Sequence, residues 1–146
     1  MARTLTLVSL VALVLAGAAL AKTTLPGFRS PSGNIRCFRN AEPPRVLHCS
    51  VGEAAYAKRL TAYCGAPPIG VDWGGFELGP TRKAAVTCTG GVLYDPSTQR
   101  LPSAVLAYGR TWRSGPFTCV SRVTGVTCTS RSGHGLALSR ERYRLW

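Results

Sequence analysis

A chain of 146 residues has room for one ordinary domain and an extension, which excludes a multidomain architecture. Eighteen Lys+Arg against six Asp+Glu give a formal charge of +12 and turn the surface toward anions: acidic glycans, anionic envelopes, acidic proteins or phosphate polymers. Three of the cations are lysine and the rest arginine, a skew that genome composition alone can produce, so charge by itself names no ligand.

The first 21 residues read as an export leader. Arg3 supplies a positive start, Leu5 to Leu20 an almost unbroken apolar run, and Ala19-Leu20-Ala21 a small-x-small cleavage site. The run falls short of the roughly 20 apolar residues of a spanning helix. Cleavage after Ala21 is therefore expected, leaving residues 22–146 as one secreted or envelope-located domain with no stable membrane span. The chain then opens loosely over 22–28. Pro31 and Ser32-Gly33-Asn34 give a turn, and Ile35-Arg36-Cys37 begins a strand. A polar joint over 39–45 leads to Val46-Leu47-His48-Cys49. Next, Ser50 and Glu53 have capping-box spacing, and Tyr56, Leu60, Tyr63 and Cys64 recur at helical intervals, so a helix is expected over 50–63, ended by Gly65 and Pro67-Pro68.

The stretch from Ile69 to Gly79 is apolar but broken by glycines, which suggests short bent strands or a wide loop. A strand is expected over 84–88 and a turn at Tyr94–Thr98. From Phe117 to Arg140, three segments ending in Ser-Arg are joined by Val-Thr-Gly-Val and Ser-Gly-His-Gly, the pattern of an antiparallel meander. The tail to Trp146 alternates cations with Tyr143, Leu145 and Trp146, as a last strand does. The expected fold is mainly β: a compact, disulfide-stapled antiparallel sandwich or open barrel with at most one short helix.

All six cysteines, Cys37, Cys49, Cys64, Cys88, Cys119 and Cys128, follow the leader, and an even number in an exported chain reads as a disulfide framework. An apolar residue sits two positions before each of Cys37, Cys49, Cys88, Cys119 and Cys128. Residues two apart share a strand face, so these cysteines lie beside a core residue. Pairing between sequence neighbours is favoured: Cys37–Cys49, Cys64–Cys88 and Cys119–Cys128. The last pair tests the register. Directly opposed cysteines make Val123-Thr124 the central turn residues, a poor choice for a two-residue hairpin. A four-residue loop over 123–126 leaves the cysteines diagonal, and a Gly125 bulge puts them on opposite faces. Cys-x-x-Cys spacing is absent, so neither zinc nor any other metal or cofactor is expected.

Catalytic constellations are weak. His48 and His134 could serve as the acid and base of a phosphodiesterase, but His48 reads as a solvent-facing strand residue and His134 as a turn residue. Asp72 and Glu77 flank Trp73 in the manner of a glycosidase pair, yet Asp72-Trp73-Gly74-Gly75 reads more simply as a turn with a core tryptophan. No nucleophile elbow or phosphate loop occurs. Reversal of direction in a meander places Arg122 and Arg140 at one end and Arg131 at the other. That disfavours a nucleic-acid track and leaves Arg122, Arg140 and Arg113 as a candidate anion-contact patch.

Taken together, PSGNIRC (31–37), LAYG (106–109), FTC (117–119), GVTC (125–128) and GHGLALSR (133–140) resemble a domain-of-unknown-function family of small exported, cysteine-bearing bacterial proteins, mainly actinobacterial. Leu136 stands where that pattern has an aromatic residue, and Cys64 is separated from Trp73-Gly74 by an insertion. The resemblance implies export, a six-cysteine framework and one domain, and supplies no catalytic residue. The leading expectation is a non-catalytic extracellular or envelope binding domain with a basic surface. A proteinaceous inhibitor or effector presenting Asp72–Gly79 is the alternative, and a small secreted hydrolase stands behind both.

Overall fold

The computed structural model describes residues 21–43 and 45–146, so the expected leader, Ala21 apart, lies outside the described residues. The first meander runs β2 (Gly27–Arg29), β3 (Ile35–Arg39), β4 (Leu47–Val51), β5 (Asp72–Leu78) and β6 (Ala85–Thr89). The second runs β8 (Thr111–Ser114), β9 (Phe117–Arg122), β10 (Gly125–Ser130), β11 (Gly135–Leu138) and β12 (Tyr143–Leu145). A short parallel pair, β1 (Thr23–Thr24) with β7 (Gln99–Arg100), ties the segment before β2 to the connection between the sheets. One helix, α1 (Ala57–Gly65), follows β4. The fold is thus mainly β and sandwich-like, with no closed barrel among the described residues.

Each sheet carries the same inward row. In the first, Phe28, Cys37, Cys49, Phe76 and Val86 stand opposite one another on successive strands. In the second the row is Trp112, Cys119, Cys128, Leu136 and Leu145. Both read aromatic, cysteine, cysteine, large apolar, aliphatic. The rows meet in one core, where Phe28 and Trp112 pack with ring centroids 5.4 Å apart. The disulfides Cys37–Cys49 and Cys119–Cys128 bridge directly opposed residues, with Cα separations of 4.1 and 4.0 Å. They lie against each other, the sulfurs of Cys37, Cys49 and Cys128 all falling within 4.8 Å. The sequential pairing is complete with Cys64–Cys88, which fastens the end of α1 to β6.

The opposed register of Cys119 and Cys128 pairs Arg122 with Gly125 and leaves Val123-Thr124 as the loop. Poor turn chemistry at 123–124 does not prevent this. Neither central residue takes a positive φ; Gly125, the next residue, does so at +132°. The backbone there runs so close to the Leu138 carbonyl that a Cβ would collide with it. Glycine meets both demands.

The helix is shorter and later than its spacing suggests. Ser50 belongs to β4, opposite Arg36, so no capping box forms, and the Tyr56 side chain makes no cap. The cause lies in Asn34. Its carbonyl accepts the Gly52 N–H at 2.8 Å and its side-chain oxygen accepts the Glu53 N–H at 2.7 Å, holding 52–53 in a turn before helix can start. Tyr56, Leu60 and Cys64 do face the core, while Tyr63 is exposed. Asp72–Leu78 is likewise a strand between β4 and β6, not a loop, and its glycines mark a bulge at Trp73/Gly75. Trp73 packs on the core and donates its indole N–H to the Gly75 carbonyl at 2.9 Å.

Candidate functional site

At one end of the sandwich the Ser30–Asn34 turn, residues 52–53, the β9–β10 tip and residues 139–141 surround an open cleft of about 620 Å³. Short polar side chains fix its wall. The Ser30 hydroxyl accepts the Ile35 N–H at 3.0 Å, and the Asn34 side-chain amide donates to the Glu53 carbonyl at 3.0 Å. Gly33 supplies the positive φ of the turn. Nearly the same turn recurs at Ser130–Gly133, where Ser130 and Ser132 hydroxyls lie 2.9 Å apart; there it serves the fold, its Gly133 carbonyl accepting the Trp146 indole N–H.

Arg122 and Arg140 both line the cleft, as the reversal of strand direction requires. They differ in charge balance. Arg140 pairs with Glu53 at 2.9 Å across an exposed contact, whereas the Arg122 guanidinium makes no hydrogen bond or ion pair with any described residue. Beside them stands Tyr108, 47 % exposed, an aromatic face at the cleft edge. On the other side of the hairpin tip a second cleft of about 540 Å³ shares Arg122, Thr124, Gly125 and Ser139 with the first and adds Arg142 and Arg144. Arg144 stacks over the Trp146 ring at 4.6 Å. Between the clefts Val123 projects, 81 % exposed.

Arg113 does not join this patch. It stands opposite Thr118, four residues along β9 from Arg122, or about 13 Å at strand rise. The expectation for His48 is corrected as well: it is buried, not solvent-facing, because Phe38 packs on it at 5.5 Å and Tyr94 in turn packs on Phe38 at 6.0 Å. Burial lowers its pKa, and Glu77, its cross-strand neighbour, raises it less. His48 and Glu77 thus come together, but neither lines either cleft, and Glu77 bonds Arg82 at 3.3 Å. His134 gives its carbonyl to the Ser130 N–H, and Asp72 lies at the far end of β5 from Glu77. Tyr56, packed among Trp73, Phe76 and Tyr143, has its pKa pushed up to about 12 by burial, then by Tyr143 and Glu141, and donates its hydroxyl to the Ser139 carbonyl. The close sulfurs of the core are all in disulfides and offer no thiolate to a metal. Among the described residues no helix is long and apolar enough to cross a membrane.

Sequence reasoning passed over Tyr108 and Asn34 as site residues. The signal was present, since both fall in stretches that carry the family resemblance. Residues 6–146 match the model of a family of unknown function, DUF6636, and the chain belongs to that family. No curated protein and no solved structure matches it. Four of the five stretches that carry the resemblance meet at the first cleft, through Ser32–Ile35, Tyr108, Gly125 and Ser139–Arg140.

Proposed function

We propose that this chain is an exported, non-catalytic binding domain that holds an acidic glycan across the β9–β10 tip. The observation that carries the reading is Arg122: an unpaired guanidinium at the junction of two clefts, placed where one bound chain can reach both. A guanidinium forks onto a carboxylate or sulfate, and the exposed Tyr108 ring offers a stacking face for a sugar. Ser32 and Asn34 supply polar edges, and Arg142 and Arg144 extend the positive field beyond the tip. The charge of +12 brings an anionic polymer to the surface, and the clefts give it a place. Nothing favours the inhibitor reading in the same way, because the Asp72–Gly79 segment it relies on is a paired strand for most of its length.

The test is retention of the protein on immobilised polygalacturonate. Binding at low salt that weakens as salt rises, and that drops in Arg122→Gln, supports the reading. Absence of retention even at low salt sinks it.

A further inference from the structure

On the outer face of the first sheet, register sets two arginines against each other. Phe28 and Cys37 point inward, so their neighbours Arg29 and Arg36 point outward. Arg29 and Arg36 are direct cross-strand partners. The bonds Ser30 N–H to Ile35 O and Arg39 N–H to Pro26 O, at 2.8 Å each, set the alternation of the β2–β3 pair and put 29 and 36 at a non-hydrogen-bonded position. There opposed side chains approach most closely, and like charges directly opposite destabilise.

No carboxylate relieves the pair. The ion pairs among the described residues are Arg82–Glu77 and Arg140–Glu53. Arg29 spends its Nε–H on the Ser103 carbonyl at 2.9 Å. Arg36 has its Nε covered from solvent with no acceptor, a costly state for a charged donor. Nor does the architecture demand a second cation. In the other sheet the equivalent pair, also on the outer face, is Arg113 with Thr118. The position next to Arg36 on β4 is Ser50, exposed, whose hydroxyl donates to the Arg36 carbonyl across a long 3.5 Å contact that a bound anion can replace.

We infer that Arg29 and Arg36 form a site for a tetrahedral oxyanion of phosphate type, with Ser50 at its edge. Two guanidinium forks carry a charge that one phosphate dianion balances; the terminal NH2 groups are the donors it reaches first, and the covered Arg36 Nε–H gains the acceptor it lacks as the side chain turns onto the bound oxygen. The site is separate from the glycan clefts, which neither arginine lines.

The experiment titrates inorganic phosphate at constant ionic strength and at pH 8, following the Arg36 Nε–H resonance by NMR and thermal stability in parallel. In the wild-type chain the resonance shifts and saturates, and the midpoint of unfolding rises with phosphate. Arg36→Thr, which copies the second sheet, weakens the phosphate response about tenfold or more and raises the midpoint in phosphate-free buffer, because a like-charge pair is gone. Arg122→Gln leaves both responses intact while losing glycan retention, so the two sites fail separately. An Arg36 resonance that phosphate does not move, or equal stabilisation of wild type and Arg36→Thr, overturns the inference.

Discussion

The two sheets share an inward face and part company on the outward one. Inside, both present the aromatic–cystine–apolar row that builds the core. Outside, the row next to the cystine in the first sheet is Gly27, Phe38, His48, Glu77 and Ala85. Pro102 and Tyr94 lie over its Gly27–Phe38 end. The equivalent row of the second sheet is Thr111, Val120, Thr127, Ala137 and Arg144, and its far end is open as the second cleft. Along this row the first sheet packs a connection, whereas the second sheet leaves its far end uncovered. The proposed glycan site uses that uncovered end together with the neighbouring cleft, while the cystine rows belong to the scaffold.

The largest effects come from breaking what the sheets share. Removing Cys37–Cys49 or Cys119–Cys128 by paired alanines is expected to cost about 3 kcal/mol each by loop entropy, within about 0.5 kcal/mol of one another, since the closed loops span 12 and 9 residues. Denaturant unfolding measures both; losses differing severalfold would show that the rows are not equivalent. Next come the outer faces. A Cβ at Gly27 would strike the Cys37 carbonyl and lie 2.8 Å from Pro102, so Gly27→Thr, the residue of the second sheet, is expected to cost about 2 kcal/mol or more. Thr111→Gly, the reverse exchange on an exposed position, should cost about 1 kcal/mol or less.

A smaller effect concerns pH. Burial holds the His48 pKa below 6.5 in the fold, so the unfolded chain takes up the proton first as pH falls. Stability contributed by neutral His48 is present above 6.5 and is lost as pH drops through the folded value. His48→Gln should flatten that limb of the stability–pH curve, which thermal melts across the range would show. Glu77 is the charged group facing His48 across the strand pair, so Glu77→Gln should steepen it. The smallest effect on stability belongs to Arg122→Gln, within about 0.5 kcal/mol for an exposed side chain without partners.

Much of the scaffold was legible because it rests on local rules. Apolar-x-Cys steps placed the cystines on inward faces, and their sequential pairing followed. The relation of the Cys37–Cys49 hairpin to the later one could be seen in Ile35, Leu47, Phe117 and Val126. What escaped depends on distant contacts. Asn34 takes 52–53 out of the helix from 18 residues away or more in sequence, which no capping pattern at 50–53 reveals. His48 sits at an outward position that alternation assigns to solvent, but Phe38, itself packed under Tyr94, lies on it. Arg140 and Arg122 could be placed at one end from strand direction alone; that Glu53 balances Arg140 and no carboxylate balances Arg122 beside it needed the fold.

The central claim is that the β9–β10 tip holds an acidic glycan through Arg122. Its most direct test compares Arg122→Gln with Arg113→Gln for polygalacturonate affinity at low salt. Both variants lose one arginine from the same sheet, so net charge is matched. The predicted result is about tenfold or greater weakening for Arg122→Gln and little change for Arg113→Gln. Equal loss in the two variants would contradict the account by reducing binding to overall charge.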